Sequence, residues 1–474
     1  MSEQKRSLSR RDFLRISSVG AATLALAACV APDGGGSQET ASGGGADAGI
    51  QMMDIPREQM VTNITPMEEA GTFHQMIWGG DVSPSYMADM QSWFGTYYPN
   101  MEYEVSFAPW GDYWTKLPVL LASGDHPDSA YTHFTRTAVF ADKGFMAPID
   151  DFIEVLPPED WPDDYHWSAV DNLAFNGVQY GLPIDWAPRA ILYNRDIMDP
   201  IIGEYPVPDN WSWLDVLDYA IEATQETDDG MQYGLGLAHW PIRQWNIVKE
   251  WGGRFFNEQI TEGQFLDQET IDCFQWTYDV KHVHKVTPTA GDQEVFGGDF
   301  GGFTSGKIAM WATLSDEARP ALEAVGDSFQ MGVAPEPVGP DGVSRFGFEG
   351  NVGWFIPSEG NHPAVSYELM RWRLTNDDQA RFMATSGFGG FPGRISSGKW
   401  NIQQIEESLP NYGHAAWEIG QQNVEHFPLF PEGLEWNALY TKWIDPVLLE
   451  GEPGVEAALE GLQEDTNKLL AGEA

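Results

Sequence analysis

The chain has 474 residues, 71 of them acidic and 26 basic, a formal net charge of −45, and only two cysteines. A surface this negative repels phosphate backbones and anionic lipid, which argues against nucleic acid as a partner and against charge-driven membrane binding. Two cysteines, one of them at position 29 in a leader-like segment, exclude a disulfide scaffold, so stability has to come from a packed core.

The chain opens on a targeting pattern, "SRRDFLRISSVGAATLALAAC". Arg10 and Arg11 precede an apolar run from Ile16 to Ala28 that is long enough for a signal-peptide core and too short to span a bilayer as a stable anchor. The twin arginine with Phe13 and Leu14 resembles a Tat export signal, and Leu26-Ala27-Ala28-Cys29 resembles a lipobox. Cys29 is therefore the expected lipidated residue of an exported chain, with residues 1–29 as its signal peptide. Residues 30–70 begin "VAPDGGGSQETASGGGADAG" and read as a flexible linker, whose glycine-rich part spans roughly 25 Å in the root mean square.

About 400 residues follow, enough for two or three domains, and none of their segments is long and apolar enough to cross a membrane. "TFHQMIW" reads as a strand ending at Gly79-Gly80, and "SPSYMADMQSWFGTYYP" as a helix with Tyr86, Met90, Trp93 and Tyr97 on one stripe. "MEYEVSF" alternates as a strand, "YWTKLPVLLASG" is a helix stopped by Gly124, and "DSAYTHF" is the next strand. "SWLDVLDYAIEATQ" is a helix with Ser212 and Asp215 as a capping box. "DQETIDCFQWTYDVKHVHK" is helical with Cys273 as a small buried residue, and "HPAVSYELMRWRLTNDDQARFMATSG" is a further helix. This alternation predicts an α/β fold with mostly parallel sheets.

Enzyme signatures are sparse. "GGFTSGKI" approaches a phosphate-binding loop, but Ile308 stands where a Ser or Thr must hold magnesium. No HExxH and no G-x-S-x-G occurs, and His282 and His284, two apart on a helix, point to different faces. A glycosidase needs only two carboxylates, which so acidic a chain supplies many times over, so that alternative stays open.

Six stretches in this order, "LLASGDHPDSAY", "KGFMAPIDDFI", "NGVQYGLPIDWAPRAILYNRDIM", "NWSWLDVLDYA", "FTSGKIAMW" and "ELMRWRLTNDDQARF", resemble the landmarks of the family 1 extracellular solute-binding proteins of ABC importers, the group that includes maltose-binding protein. The resemblance covers about residues 70–470. It implies a two-lobed periplasmic-binding-protein fold of type II, with lobe I over 71–184 plus 352–405 and lobe II over 185–351 plus 406–474. "YGLPIDW" and "FGFEGNV" become the hinge strands, with Asp185, Trp186, Glu349 and Asn351 at the cleft floor. It also implies a monomeric receptor without catalysis, cofactor or metal. Such a receptor binds a carbohydrate, is anchored by lipid to the outer face of the cytoplasmic membrane or lies in a periplasm, and delivers its solute to ABC permease subunits.

All 20 tryptophans follow the leader, and an indole face stacks on the C–H face of a pyranose while carboxylates and arginine reach its hydroxyls. Trp93, Trp276 and Trp372 lie on helical stripes and read as packing. By the resemblance, Asp81 after the first strand bonds sugar hydroxyls and Trp78 borders it; the competing role for Asp81 is a helix cap near Ser83. Arg136 matches an arginine that contacts sugar, against the competing role of a surface ion pair, with His133 and Thr135 beside it. Thr132 and Thr135 replace an aromatic and an acidic residue of the family, which speaks against a maltose-like ligand. Trp240 and Arg243 in "GLGLAHWPIRQW", and Trp311 after "GKIAM", occupy strand ends of the second lobe. Phe391 and Arg394 close the glycine-rich "SGFGGFPGR", read as a mobile loop at the cleft mouth. The same fold binding a polyamine, an iron complex or a peptide is the other open reading.

Overall fold

The computed structural model describes residues 68–79, 84–203, 205–342, 344–346, 348–374, 391–422 and 424–473. The run "TFHQMIW" lies in β1 (Ala70–Trp78), which pairs in parallel along its whole length with β2 (Asn100–Ala108) and on its other side with β3 (Ser129–His133). The crossovers are α1 (Pro84–Tyr97) and α2 (Trp110–Ser123). The predicted stripe of α1 is the buried one: Tyr86, Met90, Trp93 and Tyr97 all face the core. α2 ends where Gly124 takes the left-handed conformation, φ 84°, which a residue without Cβ adopts at no steric cost. α3 (Phe134–Asp142) starts directly from the end of β3.

A small hairpin, β4 (Ala174–Phe175) with β5 (Val178–Gln179), precedes β6 (Gly181–Pro183). One residue later β7 (Asp185–Asn194) begins, and it belongs to a different sheet. The second sheet runs β11-β7-β10-β9-β8, with β8 (Gln225–Thr227), β9 (Gly230–Leu237), β10 (Ile308–Leu314) and β11 (Met331–Pro335). β12 (Phe348–Gly350) also pairs with β7, and β13 (Val352–Phe355) returns to the first sheet, giving it the order β2-β1-β3-β13-β6. The chain thus passes between the sheets twice, at Ile184 and at Asn351. The two passages are tied together: Ile184 N–H donates to the Val352 carbonyl at 2.8 Å, and Val352 N–H donates to Asp185 Oδ1 at 2.6 Å.

The expectation of mostly parallel sheets is corrected. Only β1 with β2, β1 with β3, and β9 with β10 are parallel among the described ladders; β13 against β3 and β6, and β7 against β10 and β11, are antiparallel. Parallel neighbours need a crossover helix. At Ile184 and Asn351 the chain changes sheet through a single residue.

β7 is buried throughout and its side chains alternate between two cores: Ile191 and Tyr193 enter one, Ala190 and Leu192 another, as the two-residue strand period requires. The first of these cores is aromatic, with Trp213 from α4 (Trp213–Ala223) and Phe274 and Cys273 from α6 (Gln268–Tyr278); α5 (Pro241–Glu250) lies between those helices in sequence. α4 carries the predicted capping box: Ser212 N–H donates to Asp215 Oδ2 at 2.7 Å and Asp215 N–H to Ser212 Oγ at 3.2 Å. Of the predicted helix over 362–387, α7 (Pro363–Arg373) lies within the described residues. α8 (Ile395–Glu406) is followed by α9 (Gly433–Asp445) and α10 (Val455–Leu470), which bring Trp436, Tyr440 and Leu459 to the first core. Among the described residues no helix is long and apolar enough to cross a membrane.

Candidate functional site

The carboxyl ends of β2 and β3 and that of β9 face a common cavity of about 670 Å³, a volume within the range of small-molecule sites. From the first sheet come Trp110, at the start of α2, and His133, Thr135 and Arg136, at the start of α3. From the second come His239 and Trp240, at the end of β9 and the start of α5, followed by Lys281, Gln293 and Asp299. Residues 427–449 close the third side with Phe427, Asn437, Thr441 and Asp445. In parallel layers the strand ends are where loops open onto a crevice, and that places two indoles in it: Trp110 is 47% exposed and Trp240 54%.

Burial sets the charge states. His133 is pushed down to about 3 by burial and by the neighbouring Arg136 charge, and its Nδ1 lies 2.7 Å from Thr135 Oγ1. His239 is lowered to about 4 by burial and by Lys281. Both imidazoles are neutral at pH 7. Burial lowers Arg136 to about 10 and also lowers Lys281, while it raises Asp299 and Asp445. Lys281 Nζ donates to the Leu237 carbonyl at 3.4 Å, with the Asp299 charge favouring its protonated form.

Behind the first wall stands an aromatic stack. Trp78, at the end of β1, has ring centroids 5.0 to 5.3 Å from Trp110, Tyr113, Trp114 and Tyr131. Trp78 thus supports Trp110 and does not itself line the cavity.

The structure brings together three of the expected site residues, His133, Arg136 and Trp240, and puts the others whose side chains are described elsewhere. Arg243, one helical turn beyond Trp240, faces the interior and pairs with Glu336 at 2.7 Å, both fully buried. Trp186 is 1% exposed, stacked on His166 at 4.0 Å with its Nε1 donating to Ser168 Oγ. Asp185 and Asn351 are buried at the two passages; Asn351 Nδ2 donates to the Ala169 carbonyl and its Oδ1 accepts from Asn172. Trp311 packs against Phe300 and Phe303. Phe391, in the short strand β14 (Phe391–Pro392) paired to β7, is fully buried. Arg394 is buried too and clamped by Glu159, Asp160 and Asp164 at 2.6 to 2.7 Å. Asp81 and Cys29 lie outside the described residues, as does the side chain of Glu349.

The sequence reading missed Trp110, Lys281, Asp299, Asn437 and Asp445. For Trp110 a signal existed: it follows "SFAP" at a strand end, as Trp240 follows "GLGLAH". The others sit on helices whose approach to the cavity depends on tertiary packing.

A second cavity of about 740 Å³ shares only Phe427, Pro428 and Leu429 with the first. Its charged lining residues are largely matched within the protein, Lys249 with Glu425 at 2.8 Å and His426 with Asp171 at 2.9 Å. The first cavity, with exposed indoles and Arg136 unmatched among the described residues, is the candidate site.

Two layered sheets joined by paired single-residue passages, with a polar and aromatic cavity where their strand ends meet, make up the architecture of a two-lobed solute receptor. The family profile of the bacterial extracellular solute-binding proteins matches residues 80–380, and the chain belongs to that family. A maltotriose-binding protein from Pyrococcus abyssi is 24% identical over 422 residues, covering 86% of this chain and 85% of that protein. Among solved structures, an ABC substrate-binding protein from Listeria monocytogenes in complex with cycloalternan superposes with a TM-score of 0.73 at 21% identity, over 85% of this chain and all of that one. A solute-binding protein from Thermotoga lettingae bound with alpha-D-tagatose gives 0.71 at 19% identity, over 85% and 100%. These relatives are binding proteins by name.

Proposed function

We propose that the chain captures a carbohydrate between its lobes, without chemical change, and delivers it to the permease subunits of an ABC transporter. The observation that carries this is the pair of half-exposed indoles, Trp110 and Trp240, presented from different sheets into one cavity that also holds Asn437, Thr441, Gln293 and Asp299. Indole faces take the apolar face of a sugar ring, and amides, hydroxyls and carboxylates take its hydroxyls. The relatives' names, maltotriose-binding and cycloalternan-bound among them, support the same class.

In this reading the protein is an exported monomer. Cys29 carries its lipid at the outer face of the cytoplasmic membrane, and residues 30–70 let the body reach its transporter. The lobes are 71–184 with 352–405, and 185–351 with 406–474, hinged at Ile184 and Asn351, and closure follows binding. The two sheets support this division, although Phe391 and Ile405 pack in the second-sheet core with Leu192 and Val333.

Incubating the full chain with oligosaccharides separates receptor from glycosidase. No new reducing ends are expected, together with a ligand-dependent rise in melting temperature; release of shorter sugars would overturn the non-catalytic reading.

A further inference from the structure

We propose that the carbohydrate taken by this cavity is an acidic one, bearing a carboxylate on a ring, and that Arg136 receives that carboxylate. The inference rests on the carbohydrate reading and narrows its substrate class.

Arg136 lines the cavity and has no carboxylate partner among the described residues. Its guanidinium lies over the Trp114 ring, 5.1 Å from the centroid, and its Nε is buried without a hydrogen-bond acceptor. Scarcity of acids does not explain this, since the chain carries 71 of them against 26 bases. Elsewhere two buried arginines do have carboxylate partners, Arg243 with Glu336 and Arg394 with three, while buried Arg345 is held by the backbone carbonyls of Glu336 and Asp209. A charge drawn partly out of water and left without a counter-ion is costly, so a cation kept this way in a cavity is poised for an anion that arrives from outside.

The backbone adds to the same field. α3 begins at Phe134, has no acidic residue in its first turn, and no side chain caps its amino end. The positive end of the helix therefore stands beside Arg136, which sits in that first turn. His133, held neutral, contributes polarity and no charge. On the second-sheet wall Lys281 is offset by Asp299, and on the third side Asp445 stands 3.6 Å from His239, so Arg136 is the lining cation on whose charge no acid of the described residues acts. Sugar hydroxyls satisfy guanidinium donors but leave its charge uncompensated, whereas a carboxylate meets both, with two parallel hydrogen bonds. Trp110, edge-on to His133 at 5.3 Å, offers the apolar face for the ring that bears it.

The test is calorimetric titration of the full chain at pH 7 with matched pairs: glucuronate- against glucose-terminated, and galacturonate- against galactose-terminated, oligosaccharides. At least tenfold tighter binding of an acidic member is expected. Arg136→Gln should bring the affinity ratio between acidic and neutral members below threefold, whatever it does to neutral-sugar binding itself, and Arg136→Lys should retain part of the ratio. Equal or tighter binding of the neutral members, or an equal loss for both in Arg136→Gln, would overturn the acidic-sugar assignment and leave the carbohydrate reading standing. Binding of no member would overturn both. The wild-type comparison stands even if a variant fails to fold.

Discussion

Asp185 shows how much one side chain at a passage between sheets can hold. It is fully buried, and burial raises it from the ordinary 3.8 to about 7, partly opposed by the hydrogen bond from Val352 N–H. The native state thus binds a proton that the unfolded chain has lost between roughly pH 4 and 7. The contribution is fully favourable below the unfolded value and is lost as pH rises through the folded one, a swing on the order of 4 kcal/mol. Asp185→Asn keeps an acceptor for Val352 N–H and removes the charge. Its melting temperature should exceed that of the wild type most at pH 8, less at pH 5, and converge with it below about pH 4; an offset that does not change with pH would contradict the burial argument. At this scale the sequence was partly legible. His133, Arg136 and Trp240 were singled out through the family resemblance, and the structure sets all three at strand ends that open on the cavity. The burial of Arg243 and Arg394 was not legible, because nothing local announces that Glu336 or the group Glu159, Asp160 and Asp164 will meet them.

Elements were more legible than contacts. The stripe of α1, the capping box of α4 and the stop at Gly124 follow from spacing and local chemistry, and each appears where its residues place it. Strand direction did not follow, since direction in β7 and β13 is set by the passages at Ile184 and Asn351, which join sheets without a helix. Gly350 makes the second passage possible: a Cβ there would fall 1.9 Å from Cε1 of Phe134, the first residue of α3. Gly350→Ala must displace that ring or the strand, a form of overpacking worth about 1 to 3 kcal/mol. Because α3 also carries Arg136, urea unfolding should show the loss of stability, and saccharide titration a weaker affinity. Wild-type affinity in a destabilised Gly350→Ala would show that the passage and the site are independent.

For the whole molecule, the order of six short stretches was enough to indicate two lobes and a solute-binding family, because topology constrains which segments recur in which sequence. The third side of the cavity was not legible. Residues 427–449 reach it only after the chain has crossed between sheets twice, and their composition resembles that of any amphipathic helix. The central claim is that two indoles from different sheets grip one saccharide. Calorimetric titration of the full chain against a saccharide panel, with Trp110→Ala and Trp240→Ala beside the wild type, tests it most directly. The account predicts one saccharide site per chain. Each truncation should raise the Kd about tenfold, some 1.4 kcal/mol, with little change in melting temperature, since both indoles are about half exposed. Saccharide binding that neither substitution weakens, or no saccharide binding at all, would contradict it.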